Sequence, residues 1–274
     1  MKSVAFGQYY PTESFLHRMD PRSKVVLAIL YIVCTFLCKS VAGFMALVLS
    51  VICLVLLSRI PLRLVLRAIR PLLFVIAFTS VINIFMTKGD QLLTPEHWVI
   101  HIYAEGVWNA IFMVLRITVL IIDTSVFLTY TTTPIAMTDA LEHLLAPLKK
   151  IRVPVHEFAM MMSIALRFIP TLSEETEKIM NAQKARGADF SSGSLVKRVR
   201  ALIPILIPLF VSAIGRAFDL ANAMECRCYH GGEGRTRMRV LKYRTSDRIA
   251  VALTLLFGVG LFFLNRIPFG YIMK

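Results

Sequence analysis

Long apolar segments alternate with short polar ones along most of the chain. Five apolar runs stand out by their length: 25–38, 41–57, 71–86, 107–130 and 249–264. A helix that crosses a bilayer needs about 20 apolar residues. The pattern therefore predicts an all-α, polytopic membrane protein with about five transmembrane helices. Because the first run is the shortest, Lys24 and Lys39 are expected to extend from its ends towards the headgroups.

The remaining residues divide the chain into four parts. A polar lead-in (1–24) precedes the first four spans (25–130), and the last span with the C-terminus covers 249–274. Between them lies a block, 131–248, that is long, rich in charge and yet strongly apolar. We interpret this block as a separate domain of amphipathic helices outside the membrane.

Start and stop signals place three helices in this block. Thr133-Pro134 combines a capping hydroxyl with proline at the first helical position. Pro147 ends that helix, and the next one begins after Pro154 and ends at Arg186-Gly187, where glycine suits a left-handed terminus. The third helix covers about 195–227.

The second of these helices carries an apolar stripe. Its members recur every three or four residues and so share one face: Phe158, Met161, Ala165, Phe168 and Leu172. A continuous apolar face needs a covering partner, which makes these residues candidates for packing against another helix or another membrane protein.

Residues 201–215 in the third helix are uncharged and contain Pro204 and Pro208. A crossing here would move the basic cluster that follows to the other side of the membrane. We therefore favour a half-buried helix at the membrane face, although the sequence leaves open whether this stretch is embedded.

Composition supports the membrane assignment and sets the orientation. The chain is 57% hydrophobic and 18% charged, with a mean hydropathy of +0.67. The chain has 31 lysines and arginines, and nearly all of them lie in the segments 1–24, 58–70 and 131–248. The exceptions are Lys39, Lys88, Arg116, Arg266 and Lys274. Because cytoplasmic loops carry the excess of basic residues, the N-terminus and the block 131–248 are expected in the cytoplasm. The protein is thus predicted to be a multi-pass cell-membrane protein.

A net charge of +14 also raises the question of nucleic acid. No basic motif interleaved with aromatic residues accompanies this charge. The positive-inside bias and contact with anionic membrane lipid explain it better, so no nucleic-acid partner is expected.

Motifs for catalysis and metal binding are missing from the sequence. A phosphate-binding loop requires G-x-x-x-x-G-K-[ST], and neither this run nor H-E-x-x-H or G-x-S-x-G occurs. We predict no catalytic residues and no enzyme activity. Cys226, Cys228 and His230 are spaced too closely for an ordinary structural zinc site, so no metal is expected.

Two ionisable residues lie inside the fourth predicted span. Arg116 and Asp123 are seven residues apart and share a helical face. We favour a structural ion pair between them. The alternative is an autonomous secondary transporter that uses Arg116 and Asp123, although the inverted repeats typical of such transporters are not evident.

The most informative feature is a pair of arginine-centred triplets, Ala185-Arg186-Gly187 and Cys226-Arg227-Cys228. Each follows a predicted amphipathic helix. An arginine offers a permanent charge and a fork of donors to carboxylates and carbonyls. Paired arginines at two helix ends favour docking to a soluble partner.

Four segments together resemble one transporter family: 14–24 (SFLHRMDPRSK), 182–188 (AQKARGA), 223–229 (AMECRCY) and 231–237 (GGEGRTR). They are similar to motifs of the transmembrane T component of energy-coupling factor (ECF) transporters, related to CbiQ-type permeases, in the shared-module form of Gram-positive bacteria. Cys226 stands where alanine is commoner.

The resemblance implies a role and a set of partners. It implies a coupling scaffold in an ECF-type ABC importer, with 131–248 as a cytoplasmic coupling domain. Two ABC ATPase subunits would dock on the two triplets, through Arg186 and Arg227. A substrate-binding S component, one of several interchangeable vitamin-binding membrane proteins, would lie beside the chain. No cofactor would bind to this chain directly, because ATP and Mg²⁺ would be held by the ATPases.

Overall fold

A computed structural model describes residues 9–87, 102–188, 190, 194–231 and 241–266. Every regular element in these residues is a helix, which confirms the predicted fold class. The helices are α1 (Phe15–Arg18), α2 (Pro21–Leu37), α3 (Val41–Ser58), α4 (Leu62–Ile69), α5 (Leu73–Met86), α6 (Ala104–Thr124), α7 (Pro134–Leu144), α8 (Val155–Ala185), α9 (Leu195–Glu225) and α10 (Thr245–Leu264). Of the segments resembling the T components, most of 231–237 lies outside the described residues.

Short irregular helices join several of these elements. A 3₁₀ turn, Arg70–Leu72, links α4 to α5, and another, Ala146–Ile151, follows α7. A π-helical turn, Ser125–Tyr130, continues α6. The helices form two compact units, which we name the membrane unit (the described residues of 7–140 and 240–274) and the arm unit (those of 141–239).

Five helical stretches within the described residues are long and apolar enough to cross a membrane: 41–58, 62–86, 104–130, 199–225 and 245–264. Four of them overlap predicted spans. The first predicted span corresponds to α2, whose 17 residues lie at the lower limit of the length that crosses a bilayer. The stretch 199–225 in α9 qualifies by length and composition, so our preference for a half-buried helix there stays a prediction.

Local sequence signals explain where the helices begin. The Asp20 carboxylate accepts a hydrogen bond from the Arg22 N–H at 2.9 Å, and Pro21 takes the first position of α2. The predicted start of α7 is confirmed, since the Thr133 hydroxyl accepts from the Ala136 N–H at 3.3 Å. Helix α8 begins directly after Pro154, also as predicted.

A buried charge cluster fastens the lead-in to the rest of the membrane unit. The Lys24 side chain, only 2% exposed, donates from Nζ to the Thr131 carbonyl at 2.7 Å. Asp247 in α10 is fully buried and accepts the Asp20 N–H at 3.3 Å. Arg22 lies 3.9 Å from the Asp20 carboxylate. Two acids and two bases thus lie together where α1, α2, α10 and the end of α6 meet.

Apolar packing continues from this cluster into the membrane. One core joins α2 to the end of α6, where the Tyr31 and Phe127 rings lie 5.8 Å apart. A second core further along the same helices contains Phe44 and Phe112, whose ring centroids are 4.9 Å apart, together with Leu261 of α10. Most other apolar side chains of α3, α5 and α10 are exposed, which is the arrangement that a lipid environment stabilises.

Replacing Lys24 with Met should destabilise the membrane unit. Without the ammonium group, the Thr131 carbonyl loses its donor and the buried Asp20 and Asp247 lose a nearby positive charge. Such changes cost about 3 kcal/mol. We expect the melting temperature of the protein in detergent to fall by several degrees. It is measured by size-exclusion chromatography of samples heated to a series of temperatures. Lys39→Met is the control, because Lys39 is exposed; an equal effect of both substitutions would contradict the structural role of Lys24.

Candidate functional site

The first arginine triplet forms the end of α8. Gly187 has a φ of 87°, so it occupies the left-handed position that glycine adopts without strain. Its N–H donates to the Lys184 carbonyl at 2.9 Å, and the Ala188 N–H donates to the Gln183 carbonyl at 3.0 Å. This is a Schellman cap, as the glycine predicted. Arg186 immediately precedes the left-handed residue.

The second triplet forms the same cap at the end of α9. The Cys228 N–H donates to the Glu225 carbonyl at 2.8 Å, and the Tyr229 N–H donates to the Met224 carbonyl at 3.1 Å. Cys228 has a φ of 53° and so takes the place that Gly187 holds in the first triplet. Arg227 therefore occupies the same structural position as Arg186.

Both arginines are available to a partner. Arg186 and Arg227 are exposed, and no carboxylate of the described residues lies within ion-pair distance of either one. A guanidinium held at a rigid helix end can make charge-assisted hydrogen bonds to carboxylates or carbonyls of another protein. The caps fix the backbone from which each side chain extends.

An ion pair joins the two helices that carry the triplets. Arg216 of α9 donates from Nη2 to the Glu175 carboxylate of α8 at 2.7 Å. The Ser212 hydroxyl donates to the other carboxylate oxygen at 2.6 Å. This hydrogen bond, followed by the Arg216 guanidinium, lowers the pKa of Glu175 from its ordinary value. Glu175 therefore keeps its negative charge down to a lower pH than an ordinary glutamate does.

The ion pair lies at equal distances from the two triplets along their helices. Glu175 precedes Arg186 by eleven residues, and Arg216 precedes Arg227 by eleven residues. At 1.5 Å per residue, each separation is about 16 Å. The arm unit thus has two helical arms of equal length, 175–186 in α8 and 216–227 in α9. Both begin at the Glu175–Arg216 ion pair and end in the same type of cap. Neither Glu175 nor Arg216 was a predicted site residue; the shared spacing was the signal that could have identified them.

The predicted apolar stripe of α8 is partly uncovered within the chain. Phe158 and Met161 are each 58% exposed, and Ala165 is also exposed. Phe168 and Leu172, closer to the Glu175 contact, are half-buried. The first half of α8 therefore presents an apolar surface that the described residues leave uncovered.

Arg116 and Asp123 do not form the predicted ion pair. Arg116 donates from Nη2 to the Cys38 carbonyl at 3.0 Å, and its guanidinium lies over the Phe44 ring. Asp123 is 2% exposed, and neither of its carboxylate oxygens has a hydrogen-bond partner among the described residues. The prediction was wrong because seven residues of helix separate the two side chains by about 10 Å along the axis.

The Cys226, Cys228 and His230 side chains belong to the turn that follows α9. Nδ1 of His230 lies 2.8 Å from the Cys228 carbonyl. Within the part of the chain that the structure describes, no three His, Cys, Asp or Glu side chains are grouped closely enough to hold a metal ion.

Comparison with known proteins identifies the family. The family model of CbiQ, described as a cobalt transport protein, matches residues 12–238. The energy-coupling factor transporter transmembrane protein EcfT of Ruminiclostridium cellulolyticum is 50% identical over 258 residues, which cover 94% of this chain and 95% of that protein. The EcfT proteins of Bacillus subtilis and Lactococcus lactis are each 45% identical; the first alignment covers 97% of this chain and 98% of its relative, the second 97% and 100%.

These matches extend over both units and include both arginine triplets. With such identity over almost its whole length, the chain belongs to the CbiQ family, as a transmembrane T component of energy-coupling factor transporters.

Proposed function

We propose that this T component transmits the motion of two ABC ATPase subunits to a substrate-binding S component and so drives vitamin uptake. The observation that carries the proposal is the pair of equal arms: two exposed arginines in helix caps with the same hydrogen-bond pattern, each eleven residues from one ion pair. Two similar partners need two similar docking points, and the arms supply them. The chain itself is a non-catalytic subunit, with ATP and Mg²⁺ held by the ATPases.

Each arginine docks into one ATPase subunit. The guanidinium of Arg186 or Arg227 makes forked hydrogen bonds to acidic or carbonyl groups in a groove of its ATPase. When the two ATPases close on ATP or separate after hydrolysis, they displace the ends of the arms. In this proposal the side with the triplets faces the cytoplasm, where ATP is available; the excess of basic residues in 131–248 supports that orientation.

The ion pair and the apolar stripe carry this displacement onward. Because Glu175 and Arg216 hold α8 and α9 together, a movement of one arm is passed to the other helix rather than lost as independent motion. The exposed half of α8 then meets the S component through Phe158, Met161 and Ala165. Packed helices shift as rigid bodies, so a change at the ATPases reaches the S component within the membrane.

The first test removes the docking arginines. Arg186→Ala and Arg227→Ala should each weaken ATPase association about tenfold or more, since one charge-assisted hydrogen bond contributes about 1.5–3 kcal/mol. The double variant should lose more than either single variant. The measurements are copurification of the ATPases and vitamin uptake by vesicles containing the full complex.

Arg167→Ala is the matched control, because Arg167 is an exposed arginine of α8 away from the caps. Wild-type uptake by the double variant would refute the docking role. A loss no greater than that of the Arg167→Ala control would reduce the effect to general electrostatics.

A second test introduces charge into the apolar stripe. Met161→Asp with Phe168→Asp should loosen assembly with the S component, since an unpaired buried charge is costly. The control variant is Ser163→Asp with Arg167→Asp. Because successive residues of a helix are rotated by about 100°, these two positions lie on the face of α8 opposite to the stripe, so the control adds two carboxylates there. The yield of S component copurified with the tagged T component is measured for both. Equal yields from the two variants would show that the stripe does not contact the S component.

A third test concerns the ion pair between the arms. Glu175→Gln and Arg216→Gln should leave assembly and thermal stability nearly unchanged, because a partly exposed ion pair adds little to stability in water. We expect instead that more ATP is hydrolysed for each vitamin transported, as the arms move independently.

The charge exchange Glu175→Arg with Arg216→Glu should recover part of the coupling that each single exchange loses. A wild-type ratio of hydrolysis to transport in the Gln variants would show that the pair does not couple the arms.

A further inference from the structure

The membrane unit contains a polar cavity that plays no part in the coupling described above. The cavity has a volume of about 750 Å³ and lies between α1, the end of α3 and the start of α10. This volume is within the range of ordinary ligand pockets. Three arginines line it, Arg18, Arg59 and Arg244, each from a different one of these segments.

The positive charge of this cavity is only partly neutralised. Glu13, the one acidic residue of its lining, pairs with Arg18 at 2.7 Å. Arg59 and Arg244 are exposed and have no carboxylate of the described residues within ion-pair distance. The cavity therefore favours an anion, held by two arginines that approach from separate helices.

The backbone at Arg59 adds an independent observation. Arg59 ends α3 with a φ of 55°, a left-handed conformation in which glycine would avoid strain. An arginine there carries a backbone cost without any compensating contact from its side chain within the described part of the chain. Such a residue at a cavity wall is consistent with a binding role for its guanidinium.

A second, apolar cavity adjoins the first. Its volume is about 240 Å³, and Phe15, Cys53 and Leu57 line both cavities. From this shared wall the apolar cavity extends along α3 to Ser50 and along α10 to Thr254. Arg59 and Ser50 are nine residues apart, or about 13 Å along a helix, which is close to half of the roughly 30 Å hydrocarbon thickness.

An anionic headgroup site that continues into an apolar slot fits one class of ligand. We infer that this T component binds an anionic phospholipid here, with its phosphate between Arg59 and Arg244 and an acyl chain along α3 and α10. Basic pockets at helix ends on the cytoplasmic side of a membrane bind anionic headgroups in this way. The lipid would fill the gap between α1, α3 and α10 and hold these helices in place.

The test uses the full chain in nanodiscs of phosphatidylcholine with a minor fraction of phosphatidylglycerol. After extraction in detergent, the lipids retained by the protein are measured by mass spectrometry. Wild-type protein should enrich phosphatidylglycerol over phosphatidylcholine. Arg59→Gly and Arg244→Gln should each lower this enrichment about fivefold. Arg59→Gly also relieves the left-handed backbone, so loss of folding does not explain its effect.

Arg152→Gly is the matched control, because Arg152 is likewise left-handed, with a φ of 62°, and belongs to the arm unit. Equal enrichment in Arg59→Gly and Arg152→Gly would overturn the proposal, as would equal retention of the two lipids by the wild type. Soluble glycerol phosphate should not displace the bound lipid. Displacement would overturn the lipid assignment in favour of a site for free phosphate compounds.

Cys53 provides a second measurement, since its thiol is exposed and lines both cavities. In a background with Cys226 and Cys228 changed to Ser, phosphatidylglycerol should slow maleimide labelling of Cys53 in the parent protein and not in Arg59→Gly. Labelling that is insensitive to phosphatidylglycerol would show that an acyl chain does not occupy the shared wall.

Discussion

The buried ammonium of Lys24 is the contact on which the membrane unit depends. It lies where four segments that are distant in sequence meet, and it reaches the Thr131 carbonyl across 107 residues of chain. A buried charge is stable only when other polar groups compensate it, so its surroundings are tightly constrained. The Thr131 carbonyl and the carboxylates of Asp20 and Asp247 meet this requirement, and in doing so they fix the start of α2 relative to α10 and to the end of α6. The lead-in that marks the family is thus primarily a structural joint.

The arm unit is organised differently, by spacing along two helices. Its principal cross-contact is partly exposed, and such contacts add little stability in water. The importance of the Glu175–Arg216 contact lies in its position, because it joins α8 and α9 about 16 Å along each helix from a triplet with the same type of cap. A rigid joint in the membrane unit and a weakly held pair of arms suit the coupling proposed above, in which helices are displaced while the protein stays embedded.

The sequence predicted local structure well and long-range contacts poorly. Thr133-Pro134, Pro154 and Gly187 each fixed a helix end, because capping depends on a few neighbouring residues. The contact between Glu175 and Arg216 depends on how two helices pack, which no local signal determines. Composition also could not decide whether 199–225 lies within the membrane, since a helix against lipid and a helix against an apolar partner need similar residues. The spacing of Arg116 and Asp123 suggested a shared face, yet two turns of helix keep their side chains apart.

The left-handed Cys228 makes the conformational energies of the two helix caps different, although the two arms have equal lengths. Gly187 adopts its conformation freely, whereas a non-glycine residue with positive φ costs about 1–2 kcal/mol. The cap of α9 is therefore the easier of the two to unwind. In the docking that we propose, a partner that binds Arg227 must also keep this turn wound, while a partner at Arg186 needs to do so less. The two ends are consequently distinguishable by backbone conformation alone, which gives the proposed docking a means of assigning a different subunit to each arm.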